Sequence, residues 1–295
     1  MSETTKAYLY IHIAVILFGF TAILGDLITL TALVLVWWRV MITSGSLLFF
    51  FKQPSLSEMV TKGVLLKIAG VGVIVSLHWL CFYGAVKVAN ATVALVAMSA
   101  TSVFTSVMEP LLNKQPFRKK DIIPGLLMIP CFVLITQYVP GGYYTGLVIG
   151  LLAAALAALF SILNKNLSKG INVYAFTFVE LFSASLFLTL IIIANHYFSF
   201  FEVETYIPTD FVQWGYIFIL ALFCTTLAYV LSLKALQHIS AFASNIVINL
   251  EPVYGILLAV VLLGKKEYMH PGFYAGAFFI VVIVLMYPFL TKRYP

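Results

Sequence analysis

Charged residues, glycines and prolines divide this chain into ten long apolar runs, at about 8–25, 31–51, 64–86, 91–112, 121–138, 144–163, 173–195, 211–233, 241–263 and 271–290. Within each run the apolar residues are continuous, without the alternation of a half-buried strand. A helix needs about 20 such residues to cross the hydrocarbon core of a bilayer. A membrane β-strand needs only about ten, in an alternating pattern. The runs therefore predict an all-α integral membrane protein of ten transmembrane helices with short connections.

Composition agrees with that solvent. The 295 residues are 62% hydrophobic and 9% charged, against roughly 25% charged in an average soluble domain. In water, too few polar side chains would be left to cover the surface. The net charge of +6 is placed in short loops between apolar runs, so membrane topology accounts for it and nucleic acid is not expected. Cys81, Cys131 and Cys224 all fall inside predicted spans with no metal-like spacing, which argues against a disulfide framework or a metal site. No cofactor is expected. Glu3 and Lys6 precede the first run without a small-residue cleavage pattern, so that run reads as a retained helix and not a removed signal peptide.

The bases set the orientation. With the N-terminus inside, Lys6, Lys52, Lys62, Lys67, Lys114, Arg118, Lys119, Lys120, Lys165, Lys169, Lys234, Lys292 and Arg293 are cytoplasmic. Lys87, Lys265 and Lys266 are external, and Arg39 lies within a span. The longest external loop, about 196–210, holds Glu202, Glu204 and Asp210 and no base. Both termini are therefore expected in the cytoplasm, in the plasma (inner) membrane of a bacterium.

The two halves are alike. Phe82-Tyr83-Gly84-Ala85-Val86-Lys87 closes the third run and Tyr229-Val230-Leu231-Ser232-Leu233-Lys234 the eighth, each before a very short polar link. Val103-Phe104-Thr105 is echoed by Val253-Tyr254-Gly255. Five spans per half is odd, so residues 141–295 must enter the membrane upside down relative to residues 1–140. Inverted repeats of this kind place a substrate site near the midplane, between the halves.

Three segments carry a family resemblance. NLEPVYGILLAVVLLGKKEYMHPGFYAGAFFIV looks like the ninth and tenth helices of the EamA family, in the drug/metabolite transporter superfamily. LHWLCFYGAVKVANATVALV resembles the third and fourth helices of that family, and LFGFTAILG the first. The resemblance implies ten spans in two five-helix halves, and export or exchange of small metabolites, often amino acids, by alternating access. It also implies a gating or structural role for Arg39, which resembles an arginine common in the family's second helix. The chain departs from the family at Ser102, where a proline is usual early in the fourth helix, and at Gly264-Lys265, where Gly-Glu is common.

Polar side chains inside a bilayer are costly and tend to face the bundle interior or a water-filled cavity. Ser99, Ser102, Ser106 and Glu109 recur at three- and four-residue steps along the fourth span, which puts them on one face. Asn245 and Asn249 share a face of the ninth, Thr225, Tyr229 and Ser232 of the eighth, and Ser76, Trp79 and Tyr83 of the third. Interhelical hydrogen bonding, at about 0.6 kcal/mol per contact, explains any one of these hydroxyls. Taken together the stripes point to a cavity, with Trp79, Tyr83, Ser99, Ser102, Tyr229, Asn245 and Asn249 as its expected lining. Trp37, Trp38 and Tyr254 are further candidates for an aromatic wall, unless they face lipid.

Four titratable or charged groups are candidates for coupling or gating: Glu251, His78, Arg39 and Glu180. Glu251 sits beside Pro252, which cannot donate to the carbonyl of Ile248 and should kink the helix. It either binds a cation, a proton or a substrate ammonium there, or only holds the kink. Arg39 and Glu180 lie about eight residues into equivalent spans of the two halves, near opposite faces. Snorkelling toward water is the expectation for both. His78 is mid-span, either titrating or packed by a hydrogen bond. Glu109-Pro110 lies nearer the cytoplasmic end, where a solvated or structural role is expected. Pro252 and Pro130 are candidate hinges. The glycines at 142, 146, 150, 272 and 276 have small-xxx-small spacing and point to close packing inside the chain, or else to a dimer.

No P-loop is present, so ATP-driven transport by this chain alone is not expected. The leading reading is a secondary transporter, an exporter or exchanger of a small metabolite such as an amino acid, with a proton or counter-solute as coupling partner. The alternatives are an intramembrane enzyme, for which neither H-E-x-x-H nor G-x-S-x-G is found, and a channel or scramblase. The expected partners are the small-molecule substrate and the lipid bilayer, with the protein either a monomer or a homodimer.

Overall fold

The apolar runs become helices. The structure, a computed structural model, describes residues 2–50, 63–200 and 202–293, apart from the side chains of 120, 265, 266, 284, 285 and 287–293. Lys52 and Lys62, used above to orient the chain, lie outside the described residues, and so do the side chains of Lys120, Lys265, Lys266, Lys292 and Arg293. The helices are α1 (Glu3–Gly19), α2 (Thr21–Leu27), α3 (Ala32–Leu47), α4 (Leu65–Val88), α5 (Ala91–Met98), α6 (Thr101–Leu112) and α7 (Lys119–Thr136). They continue as α8 (Tyr144–Leu167), α9 (Val173–Phe198), α10 (Phe211–Ala221), α11 (Ala228–Leu236), α12 (Ala241–Ile248), α13 (Glu251–Leu263) and α14 (Pro271–Arg293). No strand occurs among the described residues.

Seven segments are long and apolar enough to cross a membrane: Glu3–Leu27, Leu65–Val88, Ala91–Leu112, Gly141–Leu167, Val173–Phe198, Phe211–Leu236 and Ala241–Leu263. Ala32–Leu47, Asp121–Thr136 and Pro271–Ile283 are shorter apolar helices. Leu66, Val148, Leu190, Phe211, Val261 and Phe278 stand exposed on the outside. In water each would give up most of the ~1.5–3 kcal/mol that burial of such a side chain returns. Against lipid tails that loss disappears. The protein is a multi-pass membrane protein.

Four spans are interrupted, and the interruptions position the site. α5 gives way to α6 at Ser99-Ala100, and α12 to α13 at Asn249-Leu250, so Asn249 lies 150 positions after Ser99. Pro252 falls in the first turn of α13, where a missing N–H costs nothing, and the expected kink is a two-residue right-handed turn at Asn249-Leu250. The matching break in the other helix has no proline beside it. Pro110 lies inside α6. Pro130 lies inside α7, which runs on past it. α1 and α2 part at Phe20, where Gly19 and Gly255 touch. A Cβ on Gly19 would stand 3.1 Å from Tyr254 Cβ, so this crossing of two helices depends on a residue without a side chain. The fourth interruption is a π-helical segment, Leu222–Leu227, between α10 and α11. Thr225 and Thr226 brace it by donating to the carbonyls of Leu220 and Ala221 at 2.7 and 2.9 Å.

Across the bundle, α4 packs against α8 and α9, α3 against α9, α1 against α11 and α7 against α14. The small-residue positions serve these contacts. Gly146 and Gly150 meet Ala89 and Ala97, Gly272 meets Tyr138, and Gly276 meets Ile135.

Candidate functional site

The broken ends of the helices come together at a cavity of about 80 Å³. Met98 and Thr101, either side of the first break, line it, as do Ile248 and Glu251 at the second. Arg39 from α3, His78, Trp79 and Phe82 from α4, Phe160 and Ser161 from α8, Tyr229 from α11 and Asn245 from α12 complete most of the wall.

Arg39 does not snorkel. It is 2% exposed, and its reach is fixed on three sides. Nε donates to Thr225 Oγ1 at 2.6 Å, Nη1 donates to Tyr83 Oη at 2.9 Å, and the guanidinium carbon lies 4.0 Å from the Trp79 ring centroid. Thr225 accepts from Arg39 because the π-helical segment directs its own proton to Leu220. A planar cation held by a fork of oxygens and an aromatic face is a use for which lysine is a poor substitute. Glu251, 6% exposed, faces the same cavity. Among the described residues no hydrogen bond to its carboxylate occurs, and no ion pair joins it to Arg39. One cavity thus holds a cation and a carboxyl group that do not neutralise each other by contact.

Glu180 does not snorkel either; it is fully buried and lies behind the cavity wall. Its Oε1 accepts from Asn164 Nδ2 at 2.8 Å and from Tyr229 Oη at 2.9 Å, and Asn164 also donates to Tyr229 Oη at 3.1 Å. Arg39 and Glu180 make no pair. His78 shares a hydrogen bond of 2.8 Å between Nδ1 and the Ala153 carbonyl oxygen and packs its ring 5.3 Å from Phe160.

Of the residues expected to line the cavity, Trp79, Tyr229 and Asn245 do so. Asn245 donates to Thr105 Oγ1 at 2.8 Å and accepts from Ser161 at 3.2 Å. Asn249 and Ser102 lie between helices and bond to each other at 2.7 Å, joining the two broken spans just beside the cavity. Ser99 is buried at the first break, with no hydrogen-bond partner for its hydroxyl among the described residues. Tyr83 sits behind Arg39. Trp37 and Trp38 point away from the cavity, donating to Thr189 Oγ1 and the Tyr206 carbonyl. Tyr254 is half exposed.

The family model for EamA-like transporters matches residues 5–137 and 144–287. The chain belongs to the EamA family. A relative, the uncharacterized transporter YetK of Bacillus subtilis (strain 168), is 28% identical over 208 residues, 66% of this chain and 60% of YetK. The chain thus matches less than two thirds of that relative's length. A solved crystal structure, described only as that of a protein, aligns over 98% of this chain and 99% of its own with a TM-score of 0.69 and 15% identity. A likeness at that identity is one of fold.

This EamA-family protein therefore falls within the drug/metabolite transporter superfamily. Sequence reasoning did not single out Asn164 or Glu267, and it named Thr225 only as one member of a stripe. The signal for Thr225 is the Thr225-Thr226 pair inside an apolar run, two hydroxyls able to widen a helix by bonding back to its carbonyls.

Proposed function

We propose that this protein is a secondary transporter that exports or exchanges a small zwitterionic metabolite such as an apolar α-amino acid. Cargo sits in the cavity with its carboxylate toward Arg39, its ammonium toward Glu251 and its side chain among Trp79, Phe82, Phe160 and Tyr229. The observation that carries this reading is the presence of Arg39 and Glu251 on one cavity without a contact between them. Buried opposite charges held apart in a low-dielectric site favour a ligand bearing both complements. Asn245 adds an orienting amide, His78 and Tyr229 belong to the wall, and Glu180 holds Tyr229 from behind.

The seven long helices and three shorter ones together make ten spans, in two five-helix halves, residues 1–140 and 141–295, inverted relative to each other. Two features support this. The family match divides in two near the proposed boundary, and the breaks recur 150 positions apart. The packing has the same symmetry: exchanging the halves turns the contact of α4 with α8 into that of α11 with α1, and maps the α7–α14 and α3–α9 contacts onto themselves. Alternating access then consists of rocking one half on the other around the cavity, with Asn249-Leu250 beside Pro252 as hinge. Pro130, in an unbroken helix, is the weaker hinge. Both termini lie in the cytoplasm of a bacterial cell, and a proton or counter-solute supplies the coupling.

Counterflow in proteoliposomes tests the reading. Labelled L-leucine or L-phenylalanine should exchange saturably, while analogues lacking either the carboxylate or the ammonium compete poorly. Flux that never saturates supports a channel instead, and product chemistry without net transport supports an enzyme.

A further inference from the structure

Two of the interrupted spans, α5–α6 and α12–α13, each close their tail on the head of the other. α5 starts at Ala91, where Asn90 Oδ1 accepts from the Val93 N–H at 2.8 Å and Glu267 Oε2 accepts from the Thr92 N–H at 2.9 Å. Glu267 comes from the turn that follows α13 and is fully buried. α12 starts at Ala241, where Ser240 Oγ accepts from the Ala243 N–H at 3.0 Å. There Glu109, in the last turn of α6, accepts from the Ala241 and Phe242 N–H groups at 3.2 and 2.8 Å. The first N–H groups of a helix have no internal partner, and the helix dipole adds a positive field, so a carboxylate is the strongest ordinary occupant of that position. Neither carboxylate touches the cavity. Each instead grips the outer end of a half-helix, and the inner ends of α5 and α12 carry Met98, Asn245 and Ile248 to the cavity wall.

We propose that Glu267 and Glu109 are positioning residues for transport, the latches of two gates at opposite ends of the cavity, and that each transport cycle opens one while the other holds. This rests on the alternating-access reading above. A carboxylate at a helix start forms bonds only when the two elements are in contact, so opening a gate must break them and closing must remake them. With both latches made, the cavity measures about 80 Å³, against the roughly 300–1,000 Å³ of ordinary ligand pockets. Cargo therefore enters or leaves only when one end parts. In the proposed orientation Glu267 closes the external side and Glu109 the cytoplasmic side.

The test is sided labelling of a thiol introduced by Ala157→Cys in the cavity wall, with Cys81, Cys131 and Cys224 replaced by alanine. A membrane-impermeant maleimide is applied to right-side-out or inside-out vesicles. Glu267→Ala should speed labelling from the external face by roughly tenfold, the loss of one charge-assisted hydrogen bond, and not from the cytoplasmic face. Glu109→Ala should do the reverse. Glu267→Gln and Glu109→Gln, which keep an acceptor oxygen at the same reach but lose the charge, should speed labelling from the same face by less than the alanine variants do. If an alanine variant does not fold, Glu→Asp at the same position, too short to reach the amide, takes its place with the same expectation. Unchanged rates, equal increases from both faces or a reversed sidedness overturn the latch assignment. A cavity thiol that is never labelled from either face, even with both latches present, overturns the alternating-access reading itself, and no cargo is needed to see the difference.

Discussion

Replacing Arg39 by lysine keeps the charge in the cavity wall and removes its shape. The guanidinium makes two directed hydrogen bonds, to Thr225 at 2.6 Å and Tyr83 at 2.9 Å, while its face lies 4.0 Å from the Trp79 ring. A lysine ammonium can take up one of those oxygens but cannot fork between them and lie flat on the indole. Hydrogen bonds to charged groups contribute about 1.5–3 kcal/mol in soluble proteins, and side-chain contacts in membrane proteins average about 0.6 kcal/mol. A net loss of about 1–2 kcal/mol in cargo binding follows, which is a rise in half-saturation of roughly 5- to 30-fold. The maximal rate should fall much less, because the charge that holds a carboxylate remains. Thr225→Val removes the Nε acceptor together with the hydroxyl's bond to the Leu220 carbonyl, and loss of the Arg39 contact should cost roughly threefold. The assay is counterflow of labelled L-leucine in proteoliposomes, with detergent melting curves to show that both variants are folded. Wild-type half-saturation in Arg39→Lys would refute the claim that the oriented guanidinium receives the cargo carboxylate.

Three further outcomes follow from the same geometry. Glu251→Gln preserves the shape of the second pole and removes its charge, so competition by zwitterions should weaken more than tenfold while competition by carboxylates lacking an ammonium is unaffected; counterflow inhibition curves measure both. Trp79→Ala takes away the face beneath Arg39 and the edge contact 6.0 Å from Tyr229, and should raise half-saturation roughly 3- to 10-fold, again read by counterflow. Gly72→Ala would drive a methyl into the Glu180 carbonyl oxygen and Ser183 Oγ, forcing α4 and α9 apart. It should destabilise the protein by about 1–3 kcal/mol, seen as a lower melting temperature, whereas Gly84→Ala, whose nearest neighbour is 3.7 Å away, should melt as wild type.

The helical segments were legible because an apolar run of membrane length needs no partner to declare itself. Every such run in the sequence is helical in the structure, most within about three residues at each end. The interruptions were only partly legible. Pro252 announced a distortion in the ninth run, but the matching break at Ser99-Ala100 has no proline, and Pro110 and Pro130 sit in helices that continue. Whether a helix breaks at such a point depends on what packs there, as the contact of Gly19 with Tyr254 and Gly255 illustrates. Three of the four polar stripes lie on helices where a stripe residue lines the cavity, and the stripes blurred the depth. Trp79, Tyr229 and Asn245 reach the cavity, whereas Asn249, one turn from Asn245, and Ser102 of the fourth-span stripe are taken up by each other. Arg39 was expected to reach for water because its partners were invisible in the sequence. Tyr83 is 44 positions away and Thr225 186, and only the fold supplies enough donors and acceptors to keep a guanidinium buried. Glu267 was obscure for the same reason, and Glu109 was read as solvated or structural without its partner, since a carboxylate that caps a helix from another part of the chain leaves no local pattern.

The most direct measurement is a structure determined with a counterflow-competent amino acid bound. The expected map places its carboxylate within hydrogen-bonding distance of Arg39, its ammonium beside Glu251, and its side chain against Trp79 and Tyr229. Cargo density at any other site, or a collapsed space between Arg39 and Glu251 while transport proceeds at full rate, would contradict it.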